Sequence, residues 1–333
     1  MTSKMAPKPL INRLRRASLL AVLGTAIAAP VLANDKWPER PVRLVVNFAP
    51  GGAADVLARA ITPTMSQVLG QSVVVDNKPG ANGNIGISET VRAAKDGYTL
   101  LLSSGGAVSI NPLIYSKLSF NPDKDLTPVA AVARVHVFLE TNPSVPANNV
   151  TEFIKYLKAN PGKASYGSPG PGSSPHLAGE MFKRAAGVEA THIPYKGAGP
   201  ALTDVLSGQL QFWFDPGPGL KQVEAGKLKL LAIGSPQRSP LYPNVPTLAE
   251  SGLPGFDADS LFGVYAPAGT PAHVIDAVRA SIAKALEQKN VVDVINGLGA
   301  TPAHLSRQEF IGHHAKERAR FADLIKEIGL KVD

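Results

Sequence analysis

The chain has 333 residues, a formal charge of +8, an apolar fraction of 44% and no cysteine. That apolar fraction excludes a disordered chain, and the length allows one large or two medium cores. The absence of thiols excludes disulfides, thiolate metal sites and Cys nucleophiles.

The positive charge is concentrated at the start. Lys4, Lys8, Arg13, Arg15 and Arg16 supply five of the eight charges in a leader with no acidic residue, leaving +3 for the remainder. With the apolar run from Ala17 to Ala29 and the small-residue site Val31-Leu-Ala33, they predict an export signal over 1–33, cleaved near Ala33. General secretion fits better than the twin-arginine route that Arg15-Arg16 faintly resembles. The apolar run falls short of the about 20 residues an anchor needs, so a soluble mature chain is expected from Asn34. Its basic residues are scattered and not interleaved with aromatics, which argues against a nucleic-acid partner.

In chain order, Val42 to Phe48 reads as a buried strand that breaks at Pro50, Gly51 and Gly52 and opens into a helix with apolar positions Val56, Leu57, Ala60, Ile61 and Met65. A first helical turn carries unpaired N–H groups and the positive end of the dipole, and a glycine loop lets an anion approach them. Phe48, Ala49, Pro50, Gly51, Gly52 and Asp55 are therefore candidate anion-cradle residues. The same join also serves as a plain tight connection, with Asp55 complementing the dipole. A second strand, Gln71 to Asn77, precedes Gly80, Gly83 and Gly86, whose even spacing is not G-x-G-x-x-G; no dinucleotide cofactor is expected. A helix over 88–94 and a strand over 97–104 follow, ending in a loop at Ser103, Ser104 and Gly105 that should share a sheet edge with Gly51. Three strand–helix repeats predict a parallel α/β sheet.

The apolar pattern from Thr127 to Glu140 is too long for one domain strand and is expected to cross between domains. A βα pattern then restarts, with a helix over 152–158, a strand over 164–167 and a second glycine-rich loop, Ser168, Gly170, Gly172 and Ser173. Ser174 is expected as N-cap of the next helix, with Pro175 at its first position. Tyr195, Lys196 and Gly197 precede a helix over 199–206, and a strand over 209–215 ends at Asp215. A strand over 228–234, a returning strand over 261–267 and helices over 271–288 and 308–328 complete the chain.

The seven histidines show no metal spacing, and adjacent His313 and His314 read as a solvated helix face. Neither a nucleophile elbow nor a P-loop is present. A hydrolase would have to be assembled from Ser168 or Ser173, His176 and Asp215, recognisable only by geometry. Trp213 and Tyr195 suit a pocket wall, and Trp213 equally suits the core.

Nine motifs in register carry a family resemblance: Trp37-Pro-x-x-Pro-Val-Arg, Phe48-Ala-Pro-Gly-Gly-x-x-Asp, Pro79-Gly-Ala-x-Gly-Asn-Ile-Gly, Asp96-Gly-Tyr-Thr-Leu, Asp125-Leu-Thr-Pro-Val, His176-Leu-Ala-Gly-Glu, Pro194-Tyr-Lys-Gly, Pro246-Thr-Leu-Ala-Glu-Ser-Gly and Pro267-Ala-Gly-Thr-Pro. Together they resemble the tripartite tricarboxylate transporter receptors, the Bug periplasmic solute receptors. The resemblance implies a type II two-lobe α/β binding protein with two crossing strands, lobe 1 taking 34–138 and 259–333 and lobe 2 taking 139–258. It implies a monomeric periplasmic receptor, not an enzyme, that closes on a small carboxylate without cofactor or metal. Such receptors serve a two-component membrane permease with large and small subunits, and some serve a sensor kinase instead. The family's gripping loops correspond to Phe48–Asp55, the loop after the third strand and Ser168–His176. This chain departs from the pattern at Ala53 and Ala54, where hydroxyl residues are common, at Leu261, where Trp is common and the cleft or hinge is expected to be reshaped, and at Asp215, which suits a ligand amine or hydroxyl or a turn cap.

Overall fold

The computed structural model describes residues 1–3 and 36–332; the export leader and its cleavage site lie outside the described residues. Two α/β sheets form, both within one unit that begins at Pro38. Strands β1 (Val42–Val46), β2 (Val73–Asn77), β3 (Thr99–Ser104) and β4 (Leu126–Val135) belong to the first sheet, and β5 (Phe138–Thr141), β6 (Ser165–Ser168), β7 (Thr191–Pro194), β8 (Phe212–Asp215) and β9 (Lys229–Ile233) make the second. The chain then returns to the first sheet with β10 (Ser260–Pro267) and β11 (Thr301–Pro302). The orders are β11-β4-β10-β3-β1-β2 and β7-β6-β8-β5-β9.

Strand β1 pairs parallel with both β2 and β3, as the strand–helix repeats predict. Its Val42, Leu44, Val45 and Val46 are fully buried, the continuous apolar run of a strand covered on both faces. Strand β10 runs antiparallel between β3 and β4, and β5 runs antiparallel between β8 and β9. Each sheet therefore holds one strand brought from the far side of a crossing. The predicted long strand over 127–140 is two strands interrupted at His136–Val137, one in each sheet.

The helices are α1 (Ala53–Leu69), α2 (Asn84–Val91), α3 (Gly105–Ser109), α4 (Asn111–Ile114), α5 (Pro122–Asp125), α6 (Val150–Ala159), α7 (Ser174–Ala186), α8 (Ala198–Ser207), α9 (Leu220–Glu224), α10 (Ala272–Leu286), α11 (Lys289–Gly297) and α12 (Arg307–Glu327). Three expectations are corrected. The residues after β3 form α3 rather than a loop, because Ser104 accepts the Ala107 N–H and caps a helix immediately. The helix expected over 271–288 ends at Leu286 and is followed by the unforeseen α11. His314 is not on a solvated face: it is buried, and its Nε2 lies 3.0 Å from the Tyr265 hydroxyl.

The second sheet packs an aromatic core in which Phe153 stacks on Phe182 at 5.8 Å and meets Phe212 edge-on at 5.0 Å. Each such pair adds about 0.5–1.5 kcal/mol beyond area burial. Helix α12 starts with a Ser306–Glu309 capping box, and its Phe321, Leu324 and Ile325 pack with Ile110, Ile114 and Leu177, so it buries apolar surface against elements of both sheets.

Two glycines make opposite predictions. An alanine Cβ at Gly263 in β10 would overlap the Phe310 ring and lie 2.8 Å from the Ala130 carbonyl, so Gly263→Ala is expected to destabilise by about 1–3 kcal/mol. Gly312, inside α12, has open space at its Cβ position, so Gly312→Ala should stabilise by about 1 kcal/mol. Thermal melts of both variants check the pair.

Candidate functional site: a cleft of helix N-termini

The chain leaves the first sheet at residues 136–137 and re-enters it at Ser260, and a cavity of about 50 Å³ lies beside these crossings. At about 10–15 Å³ per water, that is room for a few waters. Its walls come from four helix starts: Gly52 and Ala53 of α1, Ser104 ahead of α3, Ser173 and Ser174 of α7, and Gly197 and Ala198 of α8. Two of these helices follow first-sheet strands and two follow second-sheet strands. First-turn N–H groups have no acceptor within their own helix, so the cavity is edged by backbone donors and positive dipole ends. Among the described residues, no charged side chain lines it.

Local chemistry explains the caps. Gly52 and Gly197 cap α1 and α8 without a side-chain bond, leaving those ends open. Ser104 accepts from Ala107 and Ser173 accepts from His176, so the hydroxyls order the ends of α3 and α7. The N-cap of α7 is Ser173, one residue before the expected Ser174, and Pro175 accordingly sits at the second helical position. Ser174, released from capping, faces the cavity.

Of the residues singled out in the sequence, Phe48, Ala49, Gly52, Ser104, Ser173 and Gly197 line the cavity. The others lie around it. Pro50 and Gly51 are exposed at the loop tip, Gly51 with φ +82°. Asp55 accepts from the Gly51 N–H, from Arg59 and from Asn77; burial pushes its carboxyl up, but these hydrogen bonds outweigh burial and hold it below the ordinary range. Ser103 is buried and bonded to Asn47, and a Cβ on Gly105 would approach Glu317 rather than the cleft. Gly170 and Gly172 adjoin Asn82 from the first-sheet side. Tyr195 donates to Asp204, and Lys196 is exposed.

His176 and Asp215 are built into the frame. His176 is 4% exposed, its Nδ1 accepts the Gly172 N–H at 2.9 Å and its ring stacks on His192 at 3.8 Å. Burial, with Lys183 nearby, pushes it down to about 4, so it is neutral. Asp215 is fully buried and accepts the Gly219 N–H, the turn-cap role. Trp213 belongs to the core and donates to Glu140. Leu261 faces the core packing of Phe310 and Tyr265 and does not shape the cleft as expected, because Ser260 and Phe262, at the alternate positions of β10, face it instead.

The serine–histidine constellation is not assembled. Ser168 is fully buried and pairs with His192 Nε2 at 2.7 Å, not with His176, while the Ser173 hydroxyl donates to the Gly170 carbonyl. The crossing-segment walls, Val135, Val137, Ser260 and Phe262, were missed by sequence reasoning. Their period-2 alternation was the available signal. Among the described residues no group of three His, Asp or Glu side chains is placed to hold a metal, and no helix is long and apolar enough to cross a membrane.

Residues 57–330 match the family described as the tripartite tricarboxylate transporter family receptor. The chain belongs to that family. It is 40% identical to protein BugT of Bordetella pertussis over 94% of this chain and 98% of that protein. Among solved structures, this receptor chain is similar to R. palustris Rpa4515 with adipate, at TM-score 0.85 and 36% identity over 89% of this chain and 99% of that one. It is also similar to MatC from Rhodopseudomonas palustris with bound malate, at TM-score 0.81 and 32% identity over 87% and 100% of the two chains. The receptor family carries a solute-binding rather than an enzymatic role, and the two-sheet architecture is that of periplasmic binding proteins.

Proposed function

We propose that this chain is a periplasmic receptor that captures a small carboxylate between two lobes, 34–138 with 259–333 and 139–258, and delivers it to a two-component tripartite-type permease. The observation that carries the reading is the convergence of four helix N-termini, two from each sheet, on one cavity without a charged side chain. An anion there neutralises dipole ends and meets otherwise unpaired N–H groups, so binding needs no arginine. Ala53 and Ala54 supply no hydroxyl, leaving backbone donors on the α1 wall, while Ser174 and Ser260 bring hydroxyls to the other walls. The adipate and malate in the two relatives support an aliphatic acid as ligand class. A cavity with room for only a few waters means that its walls must part to admit a dicarboxylate, the motion a hinge between the sheets allows.

A melting screen of the protein with adipate, malate and related acids, each beside its amide, tests this. Ligand at 100 times its Kd adds about 2.7 kcal/mol, a rise of several degrees. A rise with an acid and none with its amide is expected; equal response to both, or no response to any acid, sinks carboxylate recognition in the cleft.

A further inference from the structure

The crossing strands have a second face. Val135 and Val137 turn toward the cleft, while Arg134 and His136, at the alternate positions, open into a rear cavity of about 410 Å³. The returning segment divides the same way, with Ser260 and Phe262 toward the cleft and Asp259 toward the rear. Thr301 is the register partner of Arg134 across the β4–β11 ladder and lines the same cavity. The opposite wall, Ser235 to Pro240, follows β9 and therefore comes from the second sheet.

The cavity is lined by several side-chain donors and one carboxylate, Asp259. Its floor is a buried trio: His136 Nδ1 lies 2.9 Å from Asp259 Oδ1 and 2.7 Å from the Ser235 hydroxyl, which itself donates to Asp259 Oδ1. Arg238 is held by Glu250 and by the Pro243 carbonyl through Nε and Nη1. Arg134 is half-buried, and among the described residues no carboxylate is paired with it, Asp259 being engaged by His136 and Glu250 by Arg238. Besides the Asp259 carboxylate, which is hydrogen-bonded by Ser235 and His136, the cavity thus holds one guanidinium, that of Arg134, with no ion pair among the described residues. Its field reaches His313, which burial, and then Arg134, push down to about 4.

We propose that the rear cavity binds a small oxyanion, with the Arg134 guanidinium as its principal clamp and Arg238, Gln237 and Thr301 as further donors. A planar guanidinium presents paired N–H groups that match two oxygens of a phosphate or carboxylate, and the surrounding donors complete the shell. Because the walls come from both sheets, the anion spans the crossing from behind. This assignment is independent of what the front cleft binds.

Titration of the protein with inorganic phosphate at constant ionic strength, followed by calorimetry, tests the site. One saturable phosphate per chain is expected, weakened at least tenfold in Arg134→Ala and less in Arg134→Lys, which keeps the charge but loses the fork. Arg238→Ala, a change at an exposed side chain tied to Glu250 and the Pro243 carbonyl, is expected to weaken phosphate as well and decides the matter if Arg134→Ala does not fold. Absence of saturable phosphate binding in the unaltered protein, or undiminished binding in these variants, overturns the proposal.

Discussion

An Ala54→Asp variant is expected to lose its carboxylate ligand by roughly a thousandfold. Ala54 is 2% exposed and faces the cavity from the first turn of α1. A carboxylate there faces another at about 4 Å, and two like charges at that distance repel by about 4 kcal/mol at an effective dielectric of about 20. Each 1.4 kcal/mol, roughly, is tenfold in affinity, which sets the size of the loss. The dipole offsets only about 0.3–1 kcal/mol of the cost of a charge at so buried a position, so a melt of the unliganded variant accompanies the titration. Ala54→Asn adds nearly the same volume without the charge. Titration calorimetry with the acid selected by melting should show the Asp variant far weaker than the Asn variant; equal losses would mean that volume, not charge, excludes the ligand.

The second large effect is a loss of stability as pH rises through neutrality. Glu140 and Asp215 are fully buried neighbours in the second sheet, and Glu317 is buried behind α3. Burial pushes Asp215 and Glu317 up to about 7 and Glu140 well above its ordinary value, with the Asp215 charge adding to the rise of Glu140. An acid that holds its proton longer in the folded state makes that state the more protonated one. Stability is then lost as pH climbs from the unfolded pKa, near 4, through the folded one, near 7. Four histidines act in the opposite sense at lower pH. Burial holds His176, His313 and His314 near 4 and His192 near 3, so folding is weakened as pH falls below about 6.5. The two effects oppose each other between about 4 and 6.5, and only the carboxyls act above it. Melting temperature should therefore fall between pH 6.5 and 8. Glu140→Gln removes one member of the pair and keeps an acceptor for Trp213, so it should melt higher than the unaltered protein at pH 8 and show a shallower pH slope. A slope unchanged by Glu140→Gln would remove the pair as its cause.

Much of the architecture was legible because it depends on local pattern. The buried run of β1, the glycine break before α1 and the capping serine ahead of α7 are short-range features, and each marks a sheet edge or a helix start within a residue or two. Six of the proposed contact residues line the cleft for the same reason, since a strand-end loop feeding a helix exposes its N–H groups wherever the sheet lies. Local pattern failed where a residue carried two plausible roles. His176, Asp55 and Asp215 are polar residues beside glycine loops, and composition alone does not distinguish a group aimed at a ligand from one satisfying the loop's own N–H donors.

By itself the sequence determined the α/β repeats, the two glycine-rich helix entries and the family, because these rest on periodicity, capping chemistry and motif order along the chain. Only the tertiary structure decided which face of each crossing segment meets the cleft. It put Ser168 beside His192, brought Glu140 against Asp215 and, among the described residues, left Arg134 without a carboxylate partner. These outcomes depend on strand pairings between residues far apart in sequence, where burial and hydrogen-bond satisfaction are settled by the whole packed chain.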